Sequence, residues 1–397
     1  TLRGKFMRIC IVTETFPPEI NGVAMTLNRI AHGLVAEGHE VLVIRPKQRD
    51  DKVSDHKHAF REVCVPGMPI PGYQSLNFGL PSGSKIQTVW KTWQPQVVYI
   101  ATEGPLGFSA IRAAERLNIP TTSGFHTNFN QYMADYNLPF LKDVAGGYLK
   151  WFHNRTLATF APSPDTIREL EALGLLNLRL LGRGVDTQLF SPDRRSAELR
   201  ASWGASPDTP VAIYVSRMAA EKNLPLAIEA MTHLKQRDPR TKCVFVGDGP
   251  ERENMIRRYP DFIFAGMRRD EDLATHYASA DLFIFPSTSE TFGNVVTEAL
   301  ASGLVTIAFD YAAPKLYIRN GENGHVVPFA DEAEFVNTCH YALSQRDNWE
   351  HWRTAARETS LGLSWKHIIE GFVENLTEAS KRFQAQGIPE ETAQLTH

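Results

Sequence analysis

Short runs of apolar residues alternate with amphipathic segments along almost the whole chain, and this alternation most limits what it can fold into. MRICIVT (7–13), HEVLVIRP, REVCVP, QVVYIAT and IPTTSGFH read as buried strands. The pattern restarts at TPVAIYVSR (209–217) and continues through KCVFVGDGP, DFIFAGM, ADLFIFPS and GLVTIAF. Between them, residues 21–37, 104–117 and 223–236 carry helical spacing, the first stopped by Gly38. Strands that are apolar throughout and separated by helices belong in parallel sheets covered on both faces. The expected fold class is therefore α/β, as two doubly wound units in tandem. RGVDTQLFSPD (183–193) has linker chemistry. The units are expected at 1–185 and 186–365, with a last helix, about 366–397, returning to the first unit. Ligands of such units bind outside the carboxyl ends of the strands, so a cleft between the two sheets is the expected site.

A length of 397 residues agrees with two cores rather than one. With 43% hydrophobic and 22% charged residues the chain is globular, and a net charge of -3 gives no reason to expect a nucleic-acid partner. Cys10, Cys64, Cys243 and Cys339 are scattered without a C-x-x-C pair, which suits free thiols in a reducing compartment. No apolar run reaches the roughly 18 residues of a spanning helix. The first residues hold no signal-type apolar core, so the cytoplasm is the expected setting, with the inner membrane face as a peripheral alternative. Thr1 to Phe6, ahead of Met7, carry no structural weight.

The most informative segment is PSTSETFGNVVTEALASG (286–303), a polar loop leading from a strand into a helix. On one helix, Glu290 and Glu298 would stand roughly 12 Å apart. That exceeds the roughly 5–9.5 Å of a glycosidase pair. Glu290 is therefore expected in the loop and Glu298 inside the helix, holding different parts of an extended ligand. Phe292, Gly293 and Asn294 would offer helix-start N–H groups to a phosphate. Taken alone, Glu290 also suits a helix cap and Glu298 a solvated face.

Arg217 and Lys222 follow the second unit's first strand, where cations could stabilise a departing diphosphate without a metal. They could equally be solvated, with Glu221 as a neighbour. VGDGPER has G-x-G, but Pro250 and Arg252 break the dinucleotide fingerprint, so no nicotinamide cofactor is expected. Asp270, Glu271 and Asp272 favour a helix start over a metal site. His126 lies at a strand end beside Thr127 and Asn128; a lone histidine is more often structural, but this placement favours function. Residues 66–82 read as a proline- and glycine-rich loop. Residues 138–155 look amphipathic, which suits a membrane-surface or lipid-acceptor contact, although ordinary packing against the first sheet is the favoured expectation.

The E-x7-E arrangement in PSTSETFGNVVTEALASG resembles the signature of the retaining family 4 glycosyltransferases. VSRMAAEKN (215–223), VGDGPER (246–252), FAGM (264–267) and SGFHTNFNQY (123–132) extend the likeness over nearly the whole chain. The resemblance implies two Rossmann-like domains in the GT-B arrangement, facing across a cleft. It is nearest to GDP-mannose-dependent α-mannosyltransferases and sulfoquinovosyl lipid synthases. It implies that Arg217 and Lys222 clamp the diphosphate, Glu298 holds the ribose and Glu290 orients the sugar. His126 would contact the donor sugar near the reacting carbon, in a positioning and electrostatic role. Gly22 would line the donor phosphates, with Gly247 in a nucleotide-facing loop and backbone at Gly266 and Met267 meeting the base. The implied donor is GDP-mannose, or alternatively a UDP-sugar, and the acceptor a lipid or glycan. No cofactor or metal is implied. Ser216 departs from the family's usual glycine, which bears on the shape of that loop. A nucleotide-sugar epimerase or a non-catalytic sugar-nucleotide binder remains the reading from another class.

Overall fold

The computed structural model describes residues 6–19, 21–48, 59–70, 73–126, 139–218, 222–290 and 292–386. The chain forms two compact units, Thr1–Arg183 with Trp365–His397, and Gly184–Ser364.

The first unit holds β1 (Arg8–Val12), β2 (Glu40–Pro46), β3 (Arg61–Val65), the hairpin β4 (Gly67–Ile70) and β5 (Tyr73–Gly79), β6 (Val97–Ile100), β7 (Thr121–Gly124), β8 (Thr159–Ala161) and β9 (Leu178–Leu180). Seven of them form a parallel sheet in the order β3-β2-β1-β6-β7-β8-β9. The helix Gly22–Ala36 starts because Asn21 accepts the Ala24 N–H through its side chain. It buries Leu27, Ile30, Ala31 and Leu34 at helical spacing. Against this stripe lie Ile369, Phe372 and Leu376 of the long helix Trp365–Gln386. Gly33 permits the approach: a Cβ there would stand 2.6 Å from Ile369 Cγ1.

Residues 66–82, expected as a loop, contain instead an antiparallel ribbon pairing Met68 with Phe78 and Pro69 with Asn77. Proline and glycine content hid it. A two-stranded ribbon tolerates Pro69 because each strand keeps one unpaired edge. The 138–155 segment forms the helix Pro139–His153, which buries Leu149 and Phe152 and stacks Trp151 on Phe108.

The second unit contains β10 (Val211–Val215), β11 (Lys242–Val246), β12 (Ile263–Gly266), β13 (Leu282–Phe285), β14 (Val305–Phe309) and β15 (His325–Val327). They form a parallel sheet in the order β12-β11-β10-β13-β14-β15. The order runs outward from the first strand in both directions, as in dinucleotide-binding sheets, so the crevice opens between the ends of β10 and β13. At the opposite end Asp281, nearly fully buried, binds Arg195 at 2.8 Å, Arg200 at 3.3 Å, Arg353 at 3.5 Å and the Val211 N–H at 2.9 Å. This one carboxylate ties the strand bottoms to three surrounding segments.

Candidate active site

Loops after β10 and β13 meet at the switch point of the second sheet. Lys222 Nζ lies 2.6 Å from Glu290 Oε1 and donates to the Ser289 carbonyl at 2.7 Å. Ser287 Oγ donates to the same Glu290 oxygen at 2.8 Å, and the Tyr311 hydroxyl donates to the Glu290 carbonyl at 3.0 Å. The pair is mostly shielded, with side-chain exposures of 18% for Lys222 and 14% for Glu290. Paired charges with shared hydrogen bonds form a preset polar surface rather than a lone buried charge. Arg217, exposed, stands just before the buried Met218. Glu221 lies outside the described residues.

Glycines bring the neighbouring loops together. A Cβ at Gly247 would meet the Ser216 carbonyl oxygen at 2.0 Å, and one at Gly249 would meet that of Met218 at 2.4 Å. The Met218 N–H donates to the Asp248 carbonyl, and the Gly247 N–H to the Gly266 carbonyl, both at 2.9 Å. Gly247 and Gly266 are thus directly joined, and Met267 beside them is 56% exposed. Arg252 approaches from the next helix, its Nη2 3.6 Å from a Cβ at Gly266.

Gly293, at φ +94, is the N-cap of the helix Asn294–Ala301 and provides no side-chain cap, leaving the helix start to backbone amides. Phe292 is buried and its carbonyl accepts the Ala313 N–H at 2.8 Å, while Asn294 is exposed. Glu298 lies inside this helix and Glu290 before it, so the carboxylates occupy the separate places their spacing suggested. Glu298 accepts from the fully buried Tyr277 hydroxyl at 3.0 Å. Burial raises its carboxyl from 4.5 to about 7, with the Tyr277 hydrogen bond opposing. Asp270, Glu271 and Asp272 form the first turn of the helix Asp270–Ala278, where Asp272 pairs with Arg268 at 3.0 Å.

A second polar cluster lies in the first unit, around the ends of β1, β6 and β7. The His126 ring reaches the Tyr99 hydroxyl, Nε2 to Oη 2.7 Å. The residue is half-buried, yet burial pushes its imidazole down to about 4, with Glu103 opposing and Arg183 reinforcing. Thr127 and Asn128 lie outside the described residues. Gly22 opens its helix beside Arg183, whose Nη2 is 3.5 Å from a Cβ placed there. Glu103 accepts the Tyr148 hydroxyl through its carbonyl at 2.5 Å, and its carboxylate stands 3.7 Å from His153. Glu14 takes the N–H groups of Leu106, at 2.8 Å, and Gly79, and burial lifts its carboxyl to about 6.

Sequence reasoning overlooked Glu14, Tyr99, Ser287, Tyr277 and Tyr311. Glu14 and Ser287 carried a signal, since both are polar groups just past a strand end. Tyr311, two residues past β14, carried the same signal, whereas Tyr99 and Tyr277 carried none because they sit in a strand and a helix that read as ordinary core.

The chain matches the family model Glycosyltransferase Family 4 over residues 20–189 and Glycosyl transferases group 1 over residues 195–359. A GDP-mannose-dependent alpha-mannosyltransferase of Corynebacterium glutamicum is 36% identical over 83% of this chain and 78% of that protein. One of Mycobacterium tuberculosis is 32% identical over 92% of this chain and 94% of its own length. A sulfoquinovosyl transferase of Arabidopsis thaliana is 28% identical over 91% of this chain and 72% of its own. Among solved structures, HepE of Anabaena in complex with UDP shares the fold, with TM-score 0.72 and 19% identity over 94% of this chain and 100% of that one. Two Rossmann-like units with these matches define a hexosyltransferase that uses a nucleotide sugar. The chain belongs to the family 4 glycosyltransferases.

Proposed function

We propose that the protein transfers mannose from GDP-mannose to a lipid or glycan acceptor with retention of the anomeric configuration. The observation that carries this reading is the Lys222–Glu290 pair at the switch point of the second sheet, 2.6 Å apart, beside an uncapped helix start at Gly293. In this assignment Lys222 and Arg217 hold the diphosphate, and amides from Phe292 to Asn294 take a phosphate oxygen. Glu290 accepts from donor-sugar hydroxyls and Glu298 from the ribose, while backbone near Gly266 and Met267 meets the base. Gly247 admits the nucleotide close to the loops it joins. His126 hydrogen-bonds the donor sugar, and Gly22 lines the phosphate region.

The bond from the anomeric carbon to the diphosphate oxygen breaks, and the acceptor oxygen bonds to the same face of that carbon. The acceptor's proton passes to the departing phosphate oxygen, so no covalent sugar–enzyme intermediate is needed. The mannose and GDP assignment is supported by the names of the relatives above, and the lipid alternative by the sulfoquinovosyl transferase. A cytoplasmic setting with peripheral contact at the inner membrane face belongs to the same reading. Among the described residues no helix is long and apolar enough to cross a membrane.

The test is steady-state transfer from GDP-mannose by Lys222→Ala and Arg217→Ala. Each is expected to lose on the order of 100- to 1,000-fold in turnover, as when a charge-stabilising donor is removed. Circular dichroism should remain that of the unmodified protein. Near-normal turnover in both variants rejects the clamp.

A further inference from the structure

Tyr99 sits in β6 with its ring fully buried and fixed edge-on by Phe160, at 5.8 Å, and Phe372, at 5.0 Å. Among the described residues its hydroxyl has one hydrogen-bond partner, His126 Nε2 at 2.7 Å. Two features fix the direction of that bond. Burial, with Glu103 adding to it, holds the phenol far above its ordinary value, so the oxygen keeps its proton. A buried O–H that fails to donate costs roughly 1–3 kcal/mol, and Nε2 is the acceptor in reach. A neutral imidazole accepts at one nitrogen and donates from the other. The slot is built for this contact: a Cβ on Gly124 would lie 2.2 Å from Tyr99 Oη and 2.8 Å from His126 Nε2.

We propose that Tyr99 is a positioning residue that locks His126 in the Nδ1–H tautomer, making the ring a hydrogen-bond donor with no nitrogen free to act as a base. This rests on the reading of His126 as a donor-sugar contact and narrows it: Nδ1–H would be offered to a sugar oxygen, and the acceptor's proton must leave by another route. Of the charged groups acting on the ring, Glu103 favours the imidazolium and Arg183 opposes it, while burial outweighs both and keeps it neutral. The second nitrogen's partner thereby sets what the first can do.

The decisive measurement is the ring nitrogen resonances of His126 in full-length, 15N-histidine-labelled protein without donor or acceptor, assigned by their loss in His126→Gln. The expected wild-type spectrum has Nδ1 protonated and Nε2 bare, unchanged from pH 8 to pH 5. Tyr99→Phe should shift the ring toward Nε2–H and lower turnover with GDP-mannose roughly tenfold at little-changed donor KM, the equivalent of one neutral hydrogen bond. A protonated Nε2 in the wild type overturns the proposal, and so does a Tyr99→Phe spectrum identical to it. Wild-type turnover in a variant whose tautomer has shifted overturns the positioning role. Should Tyr99→Phe fail to fold, the wild-type spectrum still decides. A protein with the expected spectrum that releases no nucleotide from GDP-mannose in the presence of acceptor supports the tautomer and rejects the GDP-mannose assignment.

Discussion

Glu298 gives the sharpest residue-level expectation because its proton is held differently in folded and unfolded chains. The unfolded chain releases it near 4.5 and the folded protein near 7. Between those values the folded state binds more protons, so this group's contribution to stability falls as pH rises. His126, pushed from 6.5 down to about 4, acts in the opposite sense over most of that range, up to pH 6.5. The clean measurement is therefore a difference. Glu298→Gln should gain stability relative to the unmodified protein from pH 4.5 to pH 7 and level off above, as read by denaturant midpoints. A pH-independent difference means the carboxyl is ordinary and solvated. At this scale the residue types were legible in sequence but their partners were not. The E-x7-E spacing separated loop from helix for Glu290 and Glu298. That Lys222 closes on Glu290, and Tyr277 on Glu298, depends on segments 68 and 21 residues away.

Among the structural elements, the glycine turn after β11 holds the loops of the second unit in contact. Gly249, at φ +158, leaves no space for a methyl group beside the Met218 carbonyl. Gly249→Ala should displace the 216–218 loop and weaken binding of a nucleotide sugar by roughly tenfold or more, read by calorimetry, while the sheet stays folded. Asp281 works at the other end of the sheet. Asp281→Ala leaves three arginine side chains without their shared carboxylate, and about 3–5 kcal/mol of unfolding free energy should be lost. A loss below 1 kcal/mol would show that the arginines are satisfied by carbonyls alone. Most strands were legible because parallel strands buried on both faces leave continuous apolar runs. β8, β9 and β15, at three residues each, are too short to show a period, and the β4–β5 ribbon was masked by its prolines and glycines.

The whole molecule repeats one idea: each unit starts a parallel sheet in its centre, grows it both ways, and sets polar loops where the order reverses. The α/β class was readable from alternation alone, since few architectures accommodate so many buried strands separated by helices. Which side chains meet at the reversal was not, because sheet order is set by long-range pairing. The mannosyl-transfer assignment stands or falls on what the protein does with GDP-mannose. The direct measurement is product analysis by NMR after incubation with GDP-mannose and vesicles containing diacylglycerol, or a mannose-bearing glycan. An α-linked mannoside accompanied by stoichiometric GDP is the predicted result. A β-linked product contradicts retention, and no nucleotide release from GDP-mannose with either acceptor contradicts the donor assignment at its root.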